Sequence, residues 1–169
     1  MISTEASEPT SFLDELRWVH SLLRRDLEAC QTLAESVDGG APADRVREEI
    51  EALRRRGPLF QLQLNCLRFC QFVHGHHGAE DAALFPAVRR ANPELGPSVD
   101  RLEADHRRVS DLLREVELAS LSLSAEEGGP ERMRLSHRLR ELASHLLEHL
   151  AFEEESLGPI LATWRRLPL

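Results

Sequence analysis

The sequence predicts an all-α protein: an up-down-up-down antiparallel four-helix bundle with a short extra C-terminal helix or turn. Long segments rich in Leu, Ala, Glu and Arg, all good helix formers, are separated by a few clusters of glycine and proline. Apolar residues recur within these segments at steps of three and four, which is the spacing of one helix face. Runs of alternating β-branched residues are absent, so no sheet is expected. The short connections favour antiparallel neighbours.

The first predicted helix carries a histidine on its inward face. The 169 residues suffice for one domain, and we expect a flexible N-terminus over residues 1–10 followed by a single four-helix domain over residues 11–169. The helix is predicted to start at Ser11, a capping residue with Asp14 three positions later. Its apolar stripe reads Leu13, Leu16, His20, Leu23, Leu27 and Cys30.

The second and third predicted helices also place polar residues in the core. The second runs from about Asp44 to Arg90, with Gly57-Pro58 as a candidate break. Its stripe reads Phe69, Val73, His76, Glu80 and Leu84. The third runs from about Pro97 to Leu121. Its stripe reads Val99, Leu102, His106, Val109, Leu113 and Val116.

The fourth helix is predicted after Pro130 and repeats the pattern. Its stripe reads Leu135, Leu139, Leu142, Leu146, His149 and Glu153. A tail from Ile160 to Leu167 is predicted to form a last apolar turn that carries Trp164. Because a buried imidazole or carboxylate without a partner costs several kcal/mol at least, these inward polar residues require an explanation.

Bulk properties exclude several classes of function. The net charge of −8 opposes non-specific binding to nucleic acid or to an anionic membrane, so we expect neither as a partner. The N-terminus lacks the pattern of a signal peptide, and no stretch reaches the ~18 apolar residues of a membrane span. The odd number of cysteines (Cys30, Cys66 and Cys70) indicates reduced thiols and a cytoplasmic location.

Two histidine–glutamate pairs share one spacing. His76 and Glu80 are four residues apart, as are His149 and Glu153, so each pair lies on one helix face about one turn apart. A proline follows each glutamate at the same offset, so the two segments look like the same local structure used twice. With His20 and His106, the pairs supply one histidine from each helix and two glutamates able to bridge. This mixture of imidazole and carboxylate suits a dinuclear site for a borderline metal such as ferrous iron.

Structural alternatives exist for each of these residues. A lone His20 or His106 on an apolar stripe is more often a hydrogen-bonded core histidine than a ligand, but the coincidence with two matched pairs favours ligation. His145 is interpreted as an outer or solvent-edge residue, and His74 and His137 as surface residues. Three acidic residues are interpreted as solvated neighbours or as acceptors for imidazole N–H groups: Asp81, Glu154 and Glu155. The pair Arg24/Arg25 is interpreted as a solvated face.

Three segments together resemble the hemerythrin-like (HHE cation-binding) family: HHGAEDAALFP, EADHRRV and HLLEHLAFEEESLGP, preceded by an isolated histidine in the first helix. The resemblance covers the chain from about Ser11 to Leu161. Carried over position by position, it implies metal ligation by His20, His76, Glu80, His106, His149 and Glu153, with the two glutamates as bridges.

The sequence departs from the oxygen-carrying members of that family in two places. Those proteins have two histidines one turn apart on the third helix, whereas the turns beside His106 hold Leu102 and Ser110. Their fourth helix uses a His and an Asp five apart, whereas this chain has the four-residue His–Glu spacing. We expect His77, next to His76, to replace the missing imidazole. A simple oxygen carrier is therefore not expected.

The resemblance implies a non-haem di-iron centre, oxo- or hydroxo-bridged, that binds or reacts with oxygen, peroxide or nitric oxide. Manganese or zinc are the other metals to consider. Some relatives break down hydrogen peroxide, so a catalase-like activity stays open and no enzyme class is assigned. The alternative is a metal-dependent iron- or redox-sensing or interaction module without turnover. The chain has no tyrosine, which excludes tyrosine ligands.

Overall fold

The computed structural model describes residues 11–38, 58–122 and 129–168. The elements are α1 (Phe12–Asp38), α2 (Pro58–Ala79), a π-helical turn (Glu80–Leu84), α3 (Phe85–Ala91), a 3-10 turn (Pro93–Leu95), α4 (Gly96–Leu121) and α5 (Gly129–Leu161). No strand occurs within these ranges, so the all-α class is confirmed. The predictions for residues 1–10 and for the second helix before Pro58 fall outside the described residues.

Within the described ranges, four long helices surround one core. Helix α1 packs against α2 and α5, and α4 packs against the same two helices. Helices α4 and α5 each begin within one residue of the starts predicted at Pro97 and Pro130. None of the helices among the described residues is long and apolar enough to cross a membrane.

The start of α1 has the predicted cap. The Asp14 N–H donates to the Ser11 hydroxyl over 3.3 Å, and the Ser11 N–H donates to the Asp14 carboxylate over 3.1 Å. This reciprocal pair satisfies two backbone donors that the first helical turn leaves free. The Phe12 N–H donates to the Trp164 carbonyl over 2.7 Å, which ties the C-terminal tail to this end of the bundle.

The second long helix changes its hydrogen bonding at Glu80. Over the next turn the backbone is π-helical, and the Phe85 N–H donates to the Glu80 carbonyl five residues back. Pro86 follows at once; it has no N–H, and its ring would clash with a carbonyl four residues earlier. The widened turn accommodates this proline. The expectation that both glutamates lie in the same local structure is wrong. Glu153 lies in α5, which continues as an α-helix through Pro159.

Two apolar clusters fill the core, one on each side of a polar layer. The large cluster includes Leu23, Phe69, Leu113 and Leu142. The small cluster includes Leu16, Phe85, Leu102 and Leu157. The polar layer consists of His20, His76, His77, Glu80, His106, His149 and Glu153. On each long helix the layer residues follow one cluster and precede the other, so the bundle presents all of them at one level.

Candidate metal centre

The polar layer is almost completely shielded from solvent. Six of its members have exposed fractions of 5% or less, and the His76 side chain is 9% exposed. Such groups are stable in a core only when their lone pairs and protons are satisfied. The seven residues of this layer are those that the sequence predicted as metal ligands, His77 included.

Glu80 faces histidines on two sides with different oxygens. Its Oε1 lies 3.0 Å from the Nε2 of His76, and its Oε2 lies 3.3 Å from the Nε2 of His106. Neither oxygen makes a hydrogen bond of acceptable geometry within the described part of the chain. Short distances without hydrogen-bond alignment are expected when the lone pairs of both atoms are directed at a shared third point.

Glu153 likewise faces histidines on two helices. Its Oε2 lies 3.3 Å from the Nε2 of His20 and 3.9 Å from the Nε2 of His149. Both of its oxygens are buried and lack a hydrogen-bond partner among the described residues. A fully buried carboxylate in this state indicates that a cation belongs beside it.

The donor atoms form two groups that share Glu80. One group consists of His77, Glu80, His106 and His149, and the other of His20, His76, Glu80 and Glu153. Within each group the ligand atoms lie within 4.8 Å of one another, so each could hold a metal ion. The mixture of imidazole nitrogen and carboxylate oxygen fits a borderline divalent metal better than a structural zinc site, which is usually rich in cysteine.

Carboxylates outside the layer contact the outward-facing Nδ1 of two of the histidines. The Nδ1 of His20 lies 2.8 Å from Glu154, and the Nδ1 of His106 lies 2.8 Å from Asp81. An ionised carboxylate only accepts, so each Nδ1 donates its proton to the carboxylate and each Nε2 points into the layer, where it can bind a metal once it is unprotonated. The interpretation of Asp81 and Glu154 as acceptors for imidazole N–H groups is confirmed, whereas Glu155 is exposed.

The remaining histidines lie outside the layer. His74, His137 and His145 are exposed, as expected from their positions off the stripes or at the solvent edge. The expectation of a solvated face is wrong for Arg24, which donates to Glu154 over 2.9 Å. Its partner is 130 residues away in the sequence, and no local pattern indicates such a pairing.

Carboxylates keep part of the layer protonated when no metal is present. Burial lowers the pKa of His20, but neighbouring carboxylates, led by Glu153, outweigh this effect and raise the pKa to about 9. Burial, reinforced by the charge of Glu80, raises the pKa of Glu153 above its usual value. Burial also opposes ionisation of Glu80, but the facing imidazoles hold the pKa of this carboxyl well below its usual range.

Three of the other imidazoles, those of His76, His77 and His149, are neutral at physiological pH. At His106, by contrast, burial is outweighed by the facing Glu80, which raises the pKa of that ring. Burial lowers the pKa of His76 to about 4 and that of His149 to about 3, with repulsion from neighbouring imidazoles adding to the effect at His149. Burial likewise lowers the pKa of His77, whose ring stacks on that of His106 with centroids 3.9 Å apart. Their nitrogen lone pairs are thus available for coordination.

Metal binding is expected to strengthen as the pH rises from 7 to 9. Coordination requires an unprotonated Nε2, yet His20 keeps its proton in the metal-free fold up to about pH 9. Each displaced proton changes the apparent affinity by roughly tenfold per pH unit. The same proton stabilises the metal-free fold fully below pH 6.5, and this contribution is lost as the pH rises through 9. Calorimetric titration with Co²⁺ in two buffers of different ionisation enthalpy counts the released protons.

The exposed His137 provides the control for this measurement. His137→Ala should leave both the proton release and the slope of affinity against pH unchanged. An affinity that stays constant from pH 7 to 9, with heats independent of the buffer, would contradict the protonated state of the layer.

The described residues line one apolar and one polar cavity that approach the polar layer from different sides. One of about 250 Å³ is lined mainly by apolar side chains of α1 and of the π-helical turn, such as Leu16 and Leu84, and reaches His76 and Glu80. The other, of about 40 Å³, is polar, lies between α4 and α5, and reaches His149. The layer therefore has an apolar approach on one side and a polar approach on the other.

The sequence comparison agrees with this geometry. Residues 13–161, most of the chain, match the family described as Hemerythrin HHE cation binding domain. Among curated proteins and among solved structures, none matches the chain. The family match covers all seven residues of the polar layer, and the buried donor groups are of a kind that could hold a metal cofactor. The chain belongs to the hemerythrin HHE cation-binding family.

Proposed function

We propose that this chain is a non-haem di-iron protein whose centre binds or reacts with a small oxidant: oxygen, peroxide or nitric oxide. Bound ferrous ions would supply the redox chemistry and a coordination position for such a ligand. One ion would be held by His77, Glu80, His106 and His149, and the other by His20, His76, Glu80 and Glu153.

The position of Glu80 carries this proposal. It is the one residue common to both donor groups, and it turns a different oxygen toward each of them. A carboxylate arranged in this way is suited to bridge two cations, as in the di-iron carboxylate proteins built on helical bundles. Glu153, which faces His20 and His149, is in position to act as the second bridge.

We further propose that the bundle has the up-down-up-down antiparallel arrangement. Along α1 and α4, residues of the small cluster come before the site histidine and residues of the large cluster after it. Along α2 and α5 this order is reversed. The alternation supports antiparallel neighbours, which allow every helix to contribute a histidine at the same level of the core.

The protein surroundings suit a small, uncharged ligand. The larger cavity is mainly apolar where it meets His76 and Glu80, and therefore favours dioxygen or nitric oxide over charged solutes. On the inner side, the Phe85 ring stacks on His106 with centroids 5.1 Å apart, which holds that imidazole and excludes water. These residues would bind and orient; the redox chemistry would come from the metal.

Metal content and an absorption spectrum test the proposal directly. Protein purified aerobically after growth in iron-rich medium should contain about two irons per chain and show near-ultraviolet charge-transfer bands. Adding oxygen, peroxide or nitric oxide to the anaerobically reduced protein should change the spectrum. The His137→Ala variant should behave like the unsubstituted chain, because this side chain is exposed and outside the layer.

Two results separate the alternatives. Protein without iron after such expression would overturn the di-iron proposal. Protein that binds iron but shows no spectral change with any of the three oxidants would favour a metal-dependent sensing or interaction module. In that case the metal would act through folding stability instead of through reaction with a ligand.

A further inference from the structure

The orientation of each site histidine depends on what its outer nitrogen contacts. His20 and His106 each place Nδ1 2.8 Å from a carboxylate oxygen. Such a partner fixes the ring and its tautomer, so that Nε2 is the atom presented to a metal. Loss of an outer partner of this kind usually weakens metal binding by about 10–100-fold.

His149 differs from these two. The residue is 2% exposed, and its Nδ1 is buried without a hydrogen-bond partner in the part of the chain that the structure describes. A carboxylate does face it: Oδ2 of Asp105 lies 3.8 Å from the Nδ1, about 1 Å farther than the outer carboxylates of the other two rings. This distance is too long for a direct hydrogen bond.

The polar cavity borders both the imidazole of His149 and the carboxylate of Asp105, and its volume is about 40 Å³. A water molecule needs roughly 10–15 Å³ of such space and two to four polar partners. Asp105 is also held in place, because the Arg101 Nε lies 3.9 Å from Oδ2 and the guanidinium stacks 3.7 Å above the Phe152 ring.

We propose that Asp105 is the positioning residue of His149, and that its carboxylate accepts the Nδ1–H of this imidazole through one water molecule held in the polar cavity. The water accepts from Nδ1 and donates to Asp105. The ring then directs its Nε2 toward the group that contains His77 and His106. Glu154 and Asp81 orient the rings of His20 and His106 in the same way. The inference rests on the proposed function, since it assigns a partner to a metal ligand.

Co²⁺ binding to a matched set of variants tests this role. Asp105→Asn removes the charge and should weaken Co²⁺ binding by about 10–100-fold. It should also shift the visible Co²⁺ bands, with the thermal midpoint of the metal-free protein unchanged. Asp105→Glu is one methylene longer, reaches the Nδ1 directly and should restore the affinity. Glu148→Gln removes a charge from the same cavity and should leave binding unchanged.

The outcomes distinguish the two proposals. If the unsubstituted chain binds Co²⁺ and Asp105→Asn binds it equally well, the role of Asp105 is overturned and the metal centre stands. An equal loss in Glu148→Gln would assign the effect to cavity charge and also overturn the role. Failure of the unsubstituted chain to bind Co²⁺ would overturn both proposals. A crystal structure with no water joining the two side chains would refute the bridge regardless of metal.

Discussion

The Glu80→Gln variant is expected to lose both metal ions, so that metal content after dialysis falls from about two per chain to near zero. Glu80 belongs to both donor groups, with one oxygen near His76 and the other near His106. The amide has no charge and a single carbonyl oxygen, so both groups lose their shared ligand. The loss should exceed the roughly 10–100-fold effect of removing an outer partner. Elemental analysis after dialysis measures it.

Variants of other layer residues should give graded results. Glu153→Gln removes a carboxylate of the group with His20 and His76 that also faces His149 of the other group. Because Glu80 still joins both groups, this variant should lose less metal than Glu80→Gln. Glu155→Gln, the matched control on the same helix, should retain both, because this carboxylate is exposed. Circular dichroism should show unchanged helix content in all three proteins. Full metal content in Glu80→Gln would contradict the bridging role.

Metal removal is expected to lower the thermal midpoint by about 8–16 °C. A metal that binds the native state at 1,000 times its dissociation constant adds about 4 kcal/mol of stability. For a chain of this size, each kcal/mol corresponds to roughly 2–4 °C. Chelation leaves the buried carboxylates of Glu80 and Glu153 with the protonated imidazole of His20 in place of the metal ions. Thermal unfolding followed at 222 nm, with and without chelator, measures the shift.

The Glu80→Gln variant serves as the control for chelation. Because it is not expected to hold metal, its midpoint should not respond to the chelator. A chelator effect of equal size in this variant would indicate direct destabilisation by the reagent. Equal midpoints for the loaded and the chelated unsubstituted protein would contradict a metal centre that contributes to stability.

The helices and their inward faces were predictable from local pattern. Apolar residues at steps of three and four lie on one face of a helix, and this face must be buried. His20 and His106 occupy positions on such faces and are therefore buried with them. The Ser11 cap follows equally from local hydrogen bonding. His77 lies beside the stripe and did not follow from periodicity; it was predicted because the family resemblance requires a further imidazole that the third predicted helix lacks, and the structure places it in the layer.

Contacts between distant segments were not predictable in the same way. The pairing of Arg24 with Glu154 joins residues 130 positions apart, and the approach of Asp105 to His149 depends on how α4 and α5 pack. The π-helical turn at Glu80 is another example. Equal spacing from glutamate to proline gives a π turn before Pro86 but a regular helix before Pro159.

The sequence by itself determined the helical class and six residues of the polar layer, because helical periodicity assigns each side chain to a face. Its motifs indicated the family, and the resemblance implied the seventh residue, His77. Only the tertiary structure decided how those residues divide into two donor groups around Glu80, and which carboxylates stand behind each imidazole. The physical reason is that periodicity fixes direction around one helix axis. The distance between side chains on different helices is set by the packing of the two apolar clusters that enclose the layer.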